Sequence, residues 1–229
     1  STDLAQATTL RRRMTADIAH DLRTPLSALL GYTEALAEGK FQGSPEIYTV
    51  LHQESQHLQR LVDDLHMLSM ADAGELPLHR QPTAPEALLE RVARAHAAQA
   101  TARDITLTVQ TAKAPLPPVQ VDPERMVQVL GNLIRNAFRH TPAGGKVILS
   151  AAKTEDQVKL QVQDTGSGIA PEDLPHIWER LYRSDKSRSQ EGSGLGLAIT
   201  RSIIEAHGGA VDVQSQPGKG ATFTMLLPI

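Results

Sequence analysis

Residues 16–29 read ADIAHDLRTPLSAL, and the spacing of their apolar residues decides the first half of the fold. Wound at about 100° per residue, Ile18, Leu22, Leu29 and Leu36 fall within about 20° of one direction, and His20 points the opposite way. Thr24 and Arg13 share the stripe of His20, and Asp17 and Asp21 flank it. The spacing predicts a helix that commits one side to packing and presents an imidazole beside a carboxylate to solvent. Taken alone, His20 is one of nine histidines, and simple decoration of a helix surface accounts for it.

Working outward, the periodic pattern runs from about Leu4 to Ala37 and meets a glycine stop at Glu38-Gly39. Pro25 lies inside it and is expected to bend the helix, because proline removes a backbone donor and crowds the preceding turn. The loop GKFQGSP follows, and Ser44-Pro45 is a favourable helix start. Ile47, Leu51, Leu58, Leu61, Leu65 and Leu68 then recur by threes, fours and sevens, a coiled-coil seam of about three heptads. Two such helices form a hairpin whose apolar seams are too broad to satisfy one another. Two copies pairing into a four-helix bundle would bury them, so a C2 homodimer is expected.

The pattern changes near Ala73-Gly74, which divides residues 1–73, the dimerising helical hairpin, from residues 74–229. In the second part short β-like runs (LPLH, ITLTV, KVILSAA, VKLQVQD, AVDVQS, ATFTMLL) alternate with helical ones (PEALLERVARAHAAQA, PERMVQVLGNLIRNAFRH, LGLAITRSIIEAHG). That mixture predicts an α+β two-layer sandwich, a sheet covered on one face by helices and hinged to the hairpin by a short linker.

Composition narrows the function. A net charge of −3 and 3% aromatic residues give neither the basic surface nor the stacking platforms of a nucleic-acid binder. The chain has no cysteine, hence no disulfide, thiol nucleophile or thiolate-held metal. No apolar run approaches the roughly 18 residues that span a bilayer, and no signal-peptide pattern is present, so no membrane contact is expected of these residues. The opening STDLAQATTLRRRM, helical and polar without an initiator methionine, reads as a soluble piece of something longer.

The chemistry concentrates in residues 132–222. Asn132 and Asn136 stand one helical turn apart and share a face with Arg139 and His140. The amide oxygen of Asn136 suits a Mg²⁺ that already carries phosphate oxygens and water, and Arg139 can neutralise phosphate charge. In DTGSGI, Asp164 ends a strand, and Gly166 and Gly168 permit a tight turn with close backbone approach. That carboxylate can accept from an adenine amino group. GSGLGLAI sets Gly192, Gly194 and Gly196 just before a helix, where backbone amides hold phosphate. Any one of these clusters also reads as an ordinary structural turn.

Their order and spacing carry more. Asn-x3-Asn, DxGxG and GxGLGL resemble the N, G1 and G2 boxes of the GHKL ATPase/kinase superfamily, whose fold is the Bergerat sandwich. With AHDLRTPL upstream, the chain from about Arg11 to Pro228 resembles the catalytic core of a sensor histidine kinase of two-component systems. The resemblance implies that His20 accepts a phosphoryl group and that Asp21 orients its imidazole and takes its proton. It implies that Thr24 orients the water that hydrolyses a phosphorylated response regulator; a threonine merely preceding a proline is the competing reading of that residue. It further implies ATP and Mg²⁺ as cofactors, with Asn136 as metal ligand and Asn132 a second contributor. Arg139 and His140 would border the triphosphate and base, and Asp164 with Gly166 and Gly168 would read adenine. Gly192, Gly194, Leu195 and Gly196 would form the phosphate-side hinge of the lid, and GKGATF, with Gly218, Gly220 and Thr222, a further nucleotide box. The partners implied are a second copy of the chain and a cytoplasmic response regulator with a receiver aspartate. The implied location is the cytoplasmic portion of a membrane-anchored sensor.

IWERLYRSDKSRSQEGSGLGL matches the F box and ATP lid, with Trp178 and Leu181 where the family usually has phenylalanine, and with Tyr182 retained. Arg183 and Arg188 could meet phosphate or simply be solvated, and Ser184–Glu191 have the polar composition of a mobile segment. Gyrase-, chaperone- and mismatch-repair-type ATPases share the superfamily but carry a glutamate base where Asn132 stands, and an amide cannot activate water that way. Anti-sigma serine kinases lack the histidine-bearing hairpin. A non-catalytic scaffold is the remaining alternative, and it leaves unexplained why each position for ATP and acceptor is suitably filled.

Overall fold

Two long helices open the chain. The structure, a computed structural model, describes residues 2–110, 114–182 and 193–229, with side chains from Ile18 onward. Helix α1 spans Thr2–Ala37 and runs on through Pro25, whose ring is buried. Ile18, Leu22, Leu29 and Leu36 are half-buried along one stripe, as the periodicity requires. The chain turns at Gly39, which has φ +70°, and helix α2 spans Pro45–Asp72. Ser44 caps α2 by accepting from the Ile47 amide at 3.4 Å, with proline at the first helical position. Gly74, at φ +71°, turns the chain out of α2.

The second part is a two-layer α+β sandwich. Strands β1 (Gln81–Thr83) and β3 (Val119–Val121) form an antiparallel ribbon. The main sheet has the order β2-β4-β5-β7-β6, from Thr106–Gln110, Lys146–Lys153, Gln157–Asp164, Ala221–Pro228 and Ala210–Ser215. Strand β2 is parallel to β4, and all other pairs are antiparallel. Helices α3 (Pro85–Ala102), α4 (Pro123–His140) and α5 (Gly196–Ala206) cover one face. Alternation along the strands sends Val147, Leu149, Val158, Leu160, Val162, Phe223 and Met225 into the core beneath them.

One strand expectation needs correction, and one strand is missing from the expectations. LPLH is not a strand: Pro77 has no donor, Leu76 is held by packing, and the His79 amide donates to the Asp122 carboxylate at 2.9 Å. The ribbon strand Val119–Val121 is too short, and too close to Pro117, Pro118 and Pro123, to show as a periodic run. The two parts also meet directly. Leu61, Met67 and Leu68 of α2 join the same buried cluster as the sandwich core, and α2 packs on α5.

Candidate active site

The histidine stripe comes first along the chain. His20 and Thr24 are exposed on α1 and Asp21 is half-buried. Thr24 Oγ1 donates to the His20 carbonyl at 3.3 Å, which ties the hydroxyl to the turn that carries the imidazole. The side chains of Arg13 and Asp17 lie outside the described residues.

Helix α4 supplies the second set. Its N-terminus is fixed by Asp122, whose Oδ1 accepts from the Glu124 and Arg125 amides at 3.0 and 3.1 Å. Burial opposes the Asp122 charge, yet the His79, Arg125 and Glu124 amides bring its carboxyl below the ordinary value. The Asp122 amide in turn donates to Nε2 of buried His207, whose Nδ1 donates to the Ile203 carbonyl at 2.7 Å. With Met126, Val129, Leu130, Leu133, Ile134, Ala137 and Phe138 buried, the other face presents Asn132, Asn136, Arg139 and His140. Burial, and then the neighbouring Arg139 charge, lower the His140 pKa.

Asn132 is a bridge. Its Nδ2 donates to the Gly196 carbonyl at 3.2 Å, and its Oδ1 accepts from Arg135 at 2.5 Å. Helix α5 begins at Gly196, and Leu195 precedes it with no side-chain cap, so the N-cap side chain does not take up the first-turn amides. Gly194 lies just ahead, and the Leu181 amide donates to its carbonyl at 3.1 Å. Both have left-handed backbones, φ +61° and +66°, and that bond sets them side by side. Arg183, Gly192, Arg188 and Ser184–Glu191 lie outside the described residues. Trp178 packs on the sheet, its ring edge-on to Phe223 with centroids 5.9 Å apart.

Asp164 lies where β5 ends, only 5% exposed. Its Oδ1 accepts from the Gly166 amide at 2.8 Å and the Ala221 amide at 3.3 Å. Burial raises the carboxyl above its ordinary value against the pull of those two amides. The turn is closed by the Ser167 amide on the His140 carbonyl at 3.1 Å, which binds it to the end of α4. A side chain at Gly166 would begin 2.4 Å from that carbonyl, so only glycine lets the two segments approach. Gly168 lies against the Gln216–Pro217 turn, and Gly220, at φ +80°, lies against the Asp164 carbonyl. The Gly218 amide donates to the Ser167 carbonyl at 2.7 Å, so the two glycine turns lock together.

Thr222 is not brought to this site. It pairs with Gln163 and Gln214 across the sheet, and alternation turns it to the face away from the helices. The residue that reaches Asp164 is Ala221, through its amide. A backbone contact leaves no mark in side-chain identity, so nothing in the sequence singles out Ala221. Arg135 and Asp64 of α2, whose charges act on one another, also escaped a reading confined to the glycine and asparagine boxes.

The donor set fits an adenine nucleotide: a buried carboxylate with one oxygen fixed by amides, a helix start without a side-chain cap, and a polar asparagine face. Among the described residues no group of three His, Cys, Asp or Glu could cage a metal. A cation here would rest on an amide such as Asn136 together with phosphate oxygens and water.

Comparisons with known proteins agree in both halves. Residues 10–74 match the family model of the His Kinase A (phospho-acceptor) domain, and residues 121–229 that of the histidine kinase-, DNA gyrase B-, and HSP90-like ATPases. Sensor protein SrrB of Staphylococcus aureus is 38% identical over 96% of this chain, which spans 38% of that relative's length. The solved histidine kinase AdeS of Acinetobacter baumannii superimposes with a TM-score of 0.75 at 28% identity, covering 91% of this chain and 97% of that one. ShkA, solved full-length in complex with AMPPNP, gives 0.73 at 31% identity over 95% of this chain and 45% of its own.

Proposed function

The chain belongs to the sensor histidine kinases, and from that premise we propose that it uses Mg·ATP to phosphorylate its own His20 and then passes the phosphoryl group to an aspartate of a response regulator. The observation that supports this best is that one chain carries both an exposed His20 and the amide-fixed carboxylate of Asp164. In this reading Asp164 accepts from the adenine amino group, His140 and Arg139 border the base and phosphates, and the start of α5 takes phosphate. Bound Mg²⁺, held by Asn136, would spread the charge of the phosphates.

The chain's own chemistry lies at His20. The ring nitrogen with the lone pair attacks the γ-phosphorus in line. A P–N bond forms as the bond to the β–γ bridging oxygen breaks, and ADP leaves with that electron pair. The positive charge on the ring is stabilised by Asp21, which takes the proton from the other ring nitrogen. Thr24, one turn away, orients the water that hydrolyses the phosphorylated response regulator, a separate phosphatase reaction. The exposed Leu26, Leu30 and Val62 support a homodimer through the hairpin. In the same reading the chain works at the cytoplasmic side of a membrane-anchored sensor. Among the described residues no helix is long and apolar enough to cross a membrane.

Incubation with γ-labelled ATP and Mg²⁺ tests the reading. Label should appear on the wild type, be lost in acid, and be absent from His20→Gln. Label that survives the substitution, or resists acid as a phosphoester does, would refute it.

A further inference from the structure

One arginine ties the nucleotide side of α4 to the hairpin. The Arg135 guanidinium donates to Asn132 Oδ1 at 2.5 Å, which fixes the amide so that its nitrogen donates to the Gly196 carbonyl at 3.2 Å. This chain of two bonds joins α4 to the first residue of α5, the turn that offers its amides to phosphate. The same guanidinium is within electrostatic reach of Asp64, a half-buried carboxylate on α2. Among the described residues, the charges acting on Asp64 are Arg135 on α4 and Asp63 and Arg60 on its own helix.

We propose that Arg135 is a positioning residue that couples the helical hairpin to the nucleotide site, orienting the Asn132 amide while being steered by the carboxylate of Asp64. The proposal rests on the reading that α4 and the start of α5 hold the nucleotide. An amide oxygen that already accepts from a guanidinium is a poor cation ligand. Asn132 is therefore the clamp between the two helices, and Asn136 is left as the metal ligand. Movement of α2 against the sandwich changes the pull on Arg135, and through Asn132 it changes the geometry of the phosphate turn.

Asp64 gives the coupling a pH signature. Burial pushes its carboxyl up to about 6, against the lowering pull of Arg135. Above that value the carboxylate is charged and holds Arg135; as pH falls through it, Asp64 takes up a proton and the hold is lost.

The test is the affinity of the full chain for a non-hydrolysable ATP analogue with Mg²⁺, measured from pH 5 to 8. At pH 7.5, Arg135→Met should bind about 5-fold more weakly than wild type, and Arg135→Lys, which keeps the charge and one donor, within about 2-fold. Asp64→Asn should bind about 3-fold more weakly at pH 7.5 and equal wild type below about pH 5.5, where both side chains are neutral. Wild-type affinity in Arg135→Met, equal losses in the methionine and lysine variants, or an Asp64→Asn deficit that ignores pH would each overturn the coupling. A wild-type chain that binds no nucleotide would instead remove the nucleotide site, and this proposal with it.

Discussion

The hairpin and the sandwich solve the problem of burying apolar surface in opposite ways. In the sandwich, α3, α4 and α5 close over one sheet face, and residues such as Leu130, Leu133, Leu160 and Phe223 are almost wholly buried within one chain. Among the described residues of the hairpin only Pro25, Leu61, Met67 and Leu68 are buried, while Leu26, Leu30, Phe41, Tyr48 and Val62 are each about half exposed. The nucleotide elements therefore rest on a core that the chain completes alone. The histidine rests on helices whose exposed apolar residues a second copy would cover in the proposed dimer. In the proposed function, a donor site on a complete core and an acceptor whose scaffold depends on assembly would form a pair in which a signal acts on one member without unfolding the other.

The contrast breaks most directly at the exposed seam. Burying one leucine is worth about 1.5–3 kcal/mol, and a C2 interface counts it twice, so Leu30→Glu should weaken the dimer at least about 100-fold. Sedimentation should show monomer, with loss of His20 labelling, while nucleotide affinity of the sandwich stays within about 2-fold. A parallel loss of nucleotide binding would show that the dimer seam supports the sandwich through the α2 residues that join its core.

The hairpin was legible because its signal is periodic and long. Ser44-Pro45, the leucine seam and the opposed faces of Leu22 and His20 all follow from helical spacing, and the structure places them accordingly. Helix α4 was legible to the residue, since Pro123 and Asp122 mark its start and its apolar face is nearly continuous. What stayed hidden depends on backbone or on distant charge. Ala221 reaches Asp164 through an amide that any residue would supply, and Thr222 is turned away by strand alternation that no motif spacing reveals. Asp64 and Arg135 lie 71 positions apart in different parts of the chain, and only packing of α2 on the sandwich brings their charges together. LPLH has the apolar alternation of a strand, but its proline and the claim of Asp122 on the next amide remove it from a ladder.

A smaller effect sharpens the contrast from the sandwich side. His207 has both ring nitrogens engaged, Nε2 accepting from the Asp122 amide and Nδ1 donating to Ile203, an arrangement that only the neutral ring can keep. Burial lowers its pKa, so the unfolded chain binds the extra proton more tightly, and stability is lost as pH falls below about 6.5. Asp164 works in the opposite sense: its raised carboxyl takes up a proton more readily when folded, which favours the fold as pH falls. His207→Gln should lower the stability of the sandwich at pH 7.5 by about 1–3 kcal/mol and flatten its loss between pH 7 and 5.5. Urea melts of the sandwich at several pH values check this. An unchanged slope would assign the acid sensitivity elsewhere, and a matching change in hairpin helicity would blur the contrast between the regions.

The smallest effect is expected where the regions touch. Arg180, just ahead of Leu181, donates through both terminal nitrogens to the carboxylate of Asp72 at the end of α2, with Nη1 to Oδ2 at 2.6 Å. The Asp72 side chain is 59% exposed, and ion pairs of that kind contribute about 0–1 kcal/mol, too little to hold two folded units together unaided. Yet a difference of this size is enough to tilt an equilibrium between nearly balanced arrangements of the two regions, since about 0.4 kcal/mol is a factor of two. Asp72→Asn should therefore leave the melting of both regions unchanged and raise the rate of His20 labelling about 2-fold, an effect that added salt reproduces in the wild type by screening the same pair. A slower rate would place the Arg180–Asp72 contact in the arrangement that transfers phosphate. A changed melting temperature would make it part of the fold, and the division between a self-sufficient sandwich and a dependent hairpin would then have to be drawn on the far side of α2.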